Sequence, residues 1–346
     1  MDSDLQAFID TYKSQSNLAF YLCGSIVRIM SQVLGPDEPL RGRFDAVINL
    51  QPFDYYESGL MLPGMKNEDK FALYSALGGI PQYLSLVDTH QSVKANLSRL
   101  FFGSDLTLQG EAASLLSDEL PGIENAVAIF TLLGHGQLRF SDINARFSKR
   151  PNGATDTLEK LVSMSLIAKE VTINQKSSRS SLYSIKDPFF LFYYALVEPN
   201  RSKTFFLSPE QVYERCVEKE FSEHYLPHAF ELVATQFLAR YSKAGKITPP
   251  LLELGAYTYD EKNLKTGAYE HGRFDVVSRD ERGYTSYECK YWKAPLTEKD
   301  MVKEAKSVAA LGLPFYRLGF FSRKGFAGPL PETYACFSLD DLYRPF

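Results

Sequence analysis

The sequence predicts a multidomain α/β protein, and three observations predict it. Two continuous apolar runs, at residues 18–22 and 46–50, have the character of buried strands in a parallel sheet covered on both faces. A pattern of three helices and then two strand-like runs fills residues 124–187. Near the carboxyl end, a strand carrying Asp275 is followed by one carrying Glu288, Cys289 and Lys290, then by a helical segment and a further strand. A chain of 346 residues has room for two or three domains with sizeable cores. Boundaries are expected near residues 86 and 205, giving units 1–86, 87–205 and 206–346.

Composition narrows the function classes. The net charge of −4 argues against a general polyanion binder. The acidic excess lies mostly in residues 1–87, and residues 201–346 are close to neutral, so any contact with DNA would be a local patch. Four cysteines, Cys23, Cys216, Cys289 and Cys336, show no C-x-x-C spacing, so neither a zinc site nor a disulfide framework is indicated. No run approaches the length of a membrane span, and Met1-Asp2-Ser3-Asp4 lacks the basic start of a signal peptide. The expectation is a cytoplasmic protein with no membrane partner.

Residues 5–13 are amphipathic and predict a helix. The apolar run 18–22 predicts a strand ending at Cys23-Gly24-Ser25, with a helix over 26–34. After the loop 36–43, which holds Arg41 and Arg43, residues 46–50 predict a second strand leading into Gln51-Pro52-Phe53. Two strands do not make a stable doubly wound sheet, so partners for them are expected from elsewhere. As a plain local reading, Ser25 is a helix N-cap after a strand.

In the middle, residues 126–133 predict a helix that stops at Gly134-His135-Gly136, where His135 reads as a helix-end partner. Residues 141–147 predict a short helix capped by Ser141, and 155–164 a third helix with Leu158, Leu161 and Val162 at helical spacing. Strands are expected at 166–171 and 181–185, joined by a polar tip over 174–180. That is the order of a winged helix-turn-helix. Arg146, Lys149, Arg150, Lys160, Lys176 and Arg179 are the candidates for gripping DNA phosphates. The third helix is poor in the residues that read base edges, so a module used for domain packing is the equal alternative. The aromatic run 189–194 reads as buried core joining two domains, not as a stacking platform.

In the last third, a helix over 212–238 carries an apolar stripe with Glu231 beside it, and residues 251–255 predict the first core strand. Asp275 precedes Glu288 by thirteen residues, with a turn-forming segment at 278–283 between the strands. Alternate side chains on a strand share a face, so Glu288 and Lys290 project together and Cys289 points away. Paired as a hairpin, the strands bring Asp275 level with Glu288. Two carboxylates and an ammonium then meet at one place, the donor set a divalent metal needs to activate water against a phosphodiester. An exposed hairpin with alternating charges is the bland reading of the same residues. A helix capped by Thr297, with Asp300 three residues on, and a strand over 315–321 complete the pattern.

The D…E-x-K pattern resembles that of the restriction-endonuclease-like, or PD-(D/E)xK, nucleases, with Phe274-Asp275 standing where the archetype has Pro-Asp. That resemblance implies an α/β/α domain in which Asp275 and Glu288 hold Mg²⁺ or Mn²⁺ and Lys290 steadies charge. Glu231 resembles the first-helix acid of many such nucleases and is a candidate extra ligand; Glu253 competes with it for the role. A second resemblance rests on Leu22-Cys23-Gly24-Ser25, Pro39-Leu40-Arg41-Gly42-Arg43, Leu50-Gln51-Pro52-Phe53 and Leu77-Gly78-Gly79-Ile80-Pro81-Gln82-Tyr83-Leu84. These segments look like the second half of archaeal-type P-loop ATPases of the AAA+/STAND group, continuing into a lid, a winged helix and a nuclease-like domain. The resemblance implies that Ser25 is the sensor residue and that Arg41 and Arg43 belong to the nucleotide-site remnant. No G-x-x-x-x-G-K-[ST] occurs, Gly245-Lys246 being the only Gly-Lys pair that comes near it. The expectation is a partial ATPase core that lacks its nucleotide-loop half and does not bind ATP tightly alone.

Three functions stay open on the sequence. One is a metal-dependent nuclease module appended to an incomplete ATPase and acting on DNA. Another is a non-catalytic nucleic-acid or protein-binding module with a relic nuclease fold. The last is an ATPase fragment completed by another chain that carries the nucleotide loop.

Overall fold

The computed structural model describes residues 2–346 except 14, 18, 25–32, 34, 36–37, 105–107, 120–122, 148–152 and 176–180. It is a mixed α/β structure with three-, five- and two-stranded sheets, each of them open.

The first helix forms where the amphipathic pattern places it, Asp2–Tyr12. The two apolar runs after it do not behave as expected. Residues 19–24 and 46–50 form no strand, and Tyr21, Val47, Ile48 and Leu50 are exposed. A strand persists only when its backbone groups meet those of a neighbour, and none flanks these runs among the described residues. Ser25 and most of the helix expected at 26–34 lie outside the described residues. Arg43 donates from Nε and Nη2 to the two oxygens of Asp10, both at 2.8 Å, and from Nη1 to the Pro39 carbonyl. It therefore serves as a local clamp between the loop and the first helix.

From Asp54 onward the chain is helical. Asp54 and Glu57 form a capping box that starts the helix Tyr55–Leu60. The helix Asn67–Leu77 ends at Gly78, whose φ of 68° suits a residue without a side chain. At Gly79 a Cβ would stand 1.9 Å from the Phe53 carbonyl oxygen, because the Phe53 amide donates to the Gly79 carbonyl at 2.9 Å. The two glycines thus have separate reasons, one a backbone angle and the other a close approach. Gly79→Ala is expected to cost about 3 kcal/mol through forced backbone separation. Urea unfolding would measure it, with Gly110→Ala, where a Cβ meets nothing within 4 Å, as the comparison.

A small module follows. The helices Ile123–Leu133, Phe140–Arg146 and Gly153–Ser163 stand with strands β1 (Leu138–Arg139), β2 (Ile167–Glu170) and β3 (Leu182–Ile185) in the order β1-β3-β2, all antiparallel. One expectation fails here: Ser141 is not an N-cap, since the short helix begins at Phe140 after an uncapped Arg139. The residue beyond β2 donates to the neighbouring sheet, Ile173 N to Ala256 O at 2.8 Å. Asn174 then brackets Thr258, donating to its carbonyl and accepting from its amide. Residues 173–175, at the start of the tip, are docked on the neighbouring sheet. Lys149, Arg150, Lys176 and Arg179 all lie outside the described residues.

The aromatic run that follows is core. Phe189, Phe190, Phe192, Tyr193 and Tyr194 are buried, and Phe101, Phe130, Phe221 and Tyr225 pack their rings against it. A nearly continuous helical stretch then runs from Pro209 to the long helix Leu226–Lys243, interrupted by π turns at Tyr213–Val217 and Phe221–Tyr225.

The last third is an open sheet between helices. Strands β4 (Glu253–Lys262), β5 (Tyr269–Asp280), β6 (Gly283–Lys290), β8 (Phe315–Ser322) and β10 (Tyr334–Ser338) stand in the order β10-β8-β6-β5-β4. The β4-β5-β6 meander is antiparallel, and β8 and β10 join it in parallel. The short β7 (Leu296–Thr297) pairs with β9 (Phe326–Ala327) beside it. A parallel step needs a crossover, and the helix Glu298–Ala309 provides it between β6 and β8. Thr297 and Asp300 cap that helix reciprocally. The Leu226–Lys243 helix covers one face, where Phe230 and Phe237 meet Phe321 edge to face. Met301 of the crossover helix covers the other, against Phe320. The buried cluster around Phe230 extends from Tyr55 to Leu342, so the helices after residue 54 and the sheet share one interior.

Candidate functional site

The site is built by strand register. In the β5–β6 ladder the last pair is Val276 with Tyr287, and both side chains are buried on the face under the Leu226–Lys243 helix. The next residues along are Asp275 and Glu288, but strict alternation stops at Asp275, because the β4–β5 register slips there from Gly255–Val277 to Tyr257–Phe274. Asp275 has His228 and Glu231 of the Leu226–Lys243 helix as charged neighbours, whereas Glu288 turns to Lys290 and Glu304 on the crossover-helix side. Lys290 shares that face with Glu288, and Cys289 does not. The alternation expected from the sequence holds along β6 for Glu288, Cys289 and Lys290, and the β5 register shift interrupts it at Asp275.

Lys290 donates to Glu288 Oε1 at 2.7 Å and contacts Glu304 Oε1 of the crossover helix at 3.1 Å, with its ammonium 5.4 Å from the Trp292 ring centroid. Burial acts to lower the Lys290 pKa, but the two carboxylates more than offset it, so the ammonium is held charged. Glu288 is pushed up, first by burial and then by Glu304 and Glu231, against the pull of Lys290. Asp275 is pushed up as well, by burial and by Glu231, against the pull of Arg273 and His228. Glu231 lies on the Leu226–Lys243 helix, and its charge bears on both carboxylates.

Of the four residues expected to do chemistry, Lys290 pairs with Glu288, and Glu231 bears on Asp275 and Glu288 through its charge. Glu253 stands apart: it pairs with Arg279 at 2.6 Å on the sheet surface, and that partner holds its carboxyl below the usual range. Four further residues belong to the site and were not singled out as site residues by sequence reasoning. His228 shares a hydrogen bond with Glu231 at 3.2 Å, and that bond raises the imidazole pKa. Arg273 donates to Asp275 at 2.8 Å. Glu304 and Glu170 hold the two cations from outside. The i, i+3 spacing of His228 and Glu231, and the i, i+2 spacing of Arg273 and Asp275, were the available signals. Glu170 gave none, since it lies more than a hundred residues from its partner.

As arranged, these side chains are committed to one another. Among the described residues no group of three or more His, Cys, Asp or Glu side chains is set to hold a metal ion. The donor chemistry fits Mg²⁺ or Mn²⁺; the present rotamers favour Arg273 and Lys290 as the counter-charges. Cys289, on the face under the Leu226–Lys243 helix, is partly buried, and desolvation with the nearby carboxylates pushes its thiol well up. Iodoacetamide at pH 7.5 should therefore modify exposed Cys23 quickly and Cys289 only after unfolding. Peptide mass mapping before and after urea would check this.

Among the described residues, no helix is long and apolar enough to cross a membrane. Residues 193–305, which include Glu231, Asp275, Glu288 and Lys290, match the model of DUF234, archaeal and bacterial proteins of unknown function. An uncharacterized protein of Methanocaldococcus jannaschii, MJECL04, is 24% identical over 256 residues, covering 73% of this chain and 56% of that protein. The matched part of the chain thus spans little more than half the length of that curated relative. Of the solved structures, protein VC1899 from Vibrio cholerae aligns over 71% of this chain and 53% of its own, with 12% identity and a TM-score of 0.22, too low to bear on the fold. The DUF234 match thus falls on the segment that holds the candidate carboxylates.

Proposed function

We propose that the carboxyl-terminal part is a metal-dependent phosphodiesterase module of the PD-(D/E)xK kind that acts on DNA. The observation that carries the reading is that Lys290 pairs with Glu288 while Glu231 bears on both Glu288 and Asp275, the first residues beyond the last β5–β6 pair. The order helix, three-stranded meander, crossover helix and parallel strands agrees with a restriction-endonuclease-like core. The three helices and three strands of 123–185 have the order of a winged helix, here with the start of its tip docked on β4.

Asp275 and Glu288 would hold the ion, with Glu231 close enough to add an oxygen or orient a bound water. A divalent ion held there supplies a Lewis acid and a water of lowered pKa. Lys290, kept charged and aimed by Glu304, would meet the negative charge that develops on the phosphate. Cleavage of supercoiled plasmid in the presence of Mn²⁺, abolished by Glu288→Gln, tests the reading. Intact plasmid under all metal conditions would remove it.

A second reading has its own observation. The Arg273–Asp275 and Lys290–Glu288 pairs satisfy the carboxylates without any ion, as a relic fold kept for binding nucleic acid or protein would. A third, in which another chain supplies the nucleotide loop, draws on the exposed apolar runs at 19–24 and 46–50. For that reading Ser25, Arg41 and Arg43 are the remnant of a nucleotide site. The chain alone is expected to release no phosphate from ATP, because the loop that positions and neutralises the phosphates is absent from the sequence. A coupled phosphate assay checks it; turnover lost on Arg41→Ala would contradict it.

A further inference from the structure

Arg273 stands two residues before Asp275 on β5, so both side chains leave the same face of the strand. Its guanidinium makes three hydrogen bonds to three different residues. Nε donates to Asp275 Oδ1 at 2.8 Å, Nη1 to Gln137 Oε1 at 2.7 Å and Nη2 to Glu170 Oε2 at 2.8 Å. Gln137 and Glu170 belong to the small three-helix module, and Glu170 is itself fixed by Ser184, which donates to it at 3.0 Å. One arginine thus ties a candidate metal ligand to a neighbouring module. Gln137, the Arg273 partner, also lines a cavity of about 390 Å³ together with His135, His224 and His228.

The chemistry of this contact is exclusive. The Asp275 oxygen that faces a guanidinium is not free for a metal, and two cations on one carboxylate repel. A guanidinium also matches a phosphate as well as it matches a carboxylate, often through two parallel bonds. We propose that Arg273 is the phosphate-binding residue of the site, held in reserve on Asp275 by Gln137 and Glu170, and that a nucleic-acid phosphodiester entering between the small module and β5 takes over its guanidinium and frees Asp275 for the metal. The proposal rests on the metal-dependent phosphodiesterase reading and deepens it. It makes Arg273 a positioning residue and couples metal to nucleic acid: each tightens the binding of the other by the same factor. It also accounts for carboxylates that suit an ion yet are turned onto basic side chains.

The test is calorimetric titration of Mn²⁺ into the full chain, alone and with a double-stranded DNA oligonucleotide whose phosphorothioate linkages resist cutting. In the wild type the oligonucleotide should tighten Mn²⁺ binding about tenfold, within the range usual for coupled sites. Arg273→Gln should bind Mn²⁺ tighter without DNA, gain nothing when DNA is added, and hold the oligonucleotide more weakly in a gel shift. Wild-type Mn²⁺ affinity that is the same with and without DNA would overturn the proposal and leave the metal reading standing. An Arg273→Gln affinity no better than wild type would do the same. No Mn²⁺ heat from either protein under any condition would overturn both. Should Arg273→Gln melt too low to titrate, the two wild-type titrations alone decide.

Discussion

Asp275→Asn is expected to abolish Mn²⁺-dependent cleavage without harming the fold. Asparagine keeps the shape and can still accept a hydrogen bond from Arg273, but it lacks the charge that holds an ion. The loss of metal affinity should exceed the about 10–100-fold that removal of an outer partner costs. The sign of the stability change follows from the raised Asp275 pKa. A carboxyl whose folded pKa lies above its unfolded value binds more protons in the folded state, so stability falls as pH rises from the unfolded value through the folded one. At neutral pH the charged group is therefore a net cost, partly screened because the side chain is 44% exposed. Asp275→Asn should melt at the same temperature as the metal-free wild type or slightly above it at pH 7. That difference should vanish as pH falls through the folded pKa. A variant that melts well below wild type at pH 7 would mean that Arg273 outweighs burial and Glu231 at this site.

Phe230→Ala should be the most damaging single change to stability, at about 3–5 kcal/mol. Phe230 is fully buried, and its ring meets Phe71 at 5.7 Å, Tyr291 at 5.6 Å and Phe321 at 6.4 Å. Those partners come from the early helices, the segment after β6 and the interior strand β8, so one truncation opens a void where all three meet. Domains are stable by only about 5–15 kcal/mol, and the loss would be a large part of that. Urea unfolding read by tryptophan fluorescence and by far-UV circular dichroism would measure it. Because the interior is shared, both probes should shift together; separated transitions would show that the early helices and the sheet unfold independently.

The last third was the most legible part of the chain, and the reason is locality. The β5–β6 hairpin is closed by a tight turn, so period-two alternation fixes which face Glu288, Cys289 and Lys290 take; at Asp275 a register shift against β4, invisible in the local pattern, interrupts it. The crossover helix announced itself through Thr297 and Asp300, and the aromatic run 189–194 through its density. Residues 18–22 and 46–50 misled because apolar character marks a segment that wants to be covered, and no partner strand covers it among the described residues. The turn after β5 was placed too early: β5 continues to Asp280, whose side chain accepts from the Arg282 amide at 2.8 Å and closes the hairpin itself. Arg273 was visible as a neighbour of Asp275, but its role depends on Gln137 and Glu170, distant in sequence and brought near only by the docking of the small module.

The carboxylate site as a metal site is the centre of this account, and calorimetry of Mn²⁺ against wild type and Glu288→Gln bears on it most directly. Glu288 has Lys290 as its cationic partner and is not tied to Arg273, so the result does not depend on how Asp275 is held. Saturable Mn²⁺ binding by the wild type at about one ion per chain, lost in Glu288→Gln while the melting temperature is kept, is the predicted result. Binding that survives Glu288→Gln, or a wild type that gives no heat with Mn²⁺ at any concentration or with DNA present, would contradict it.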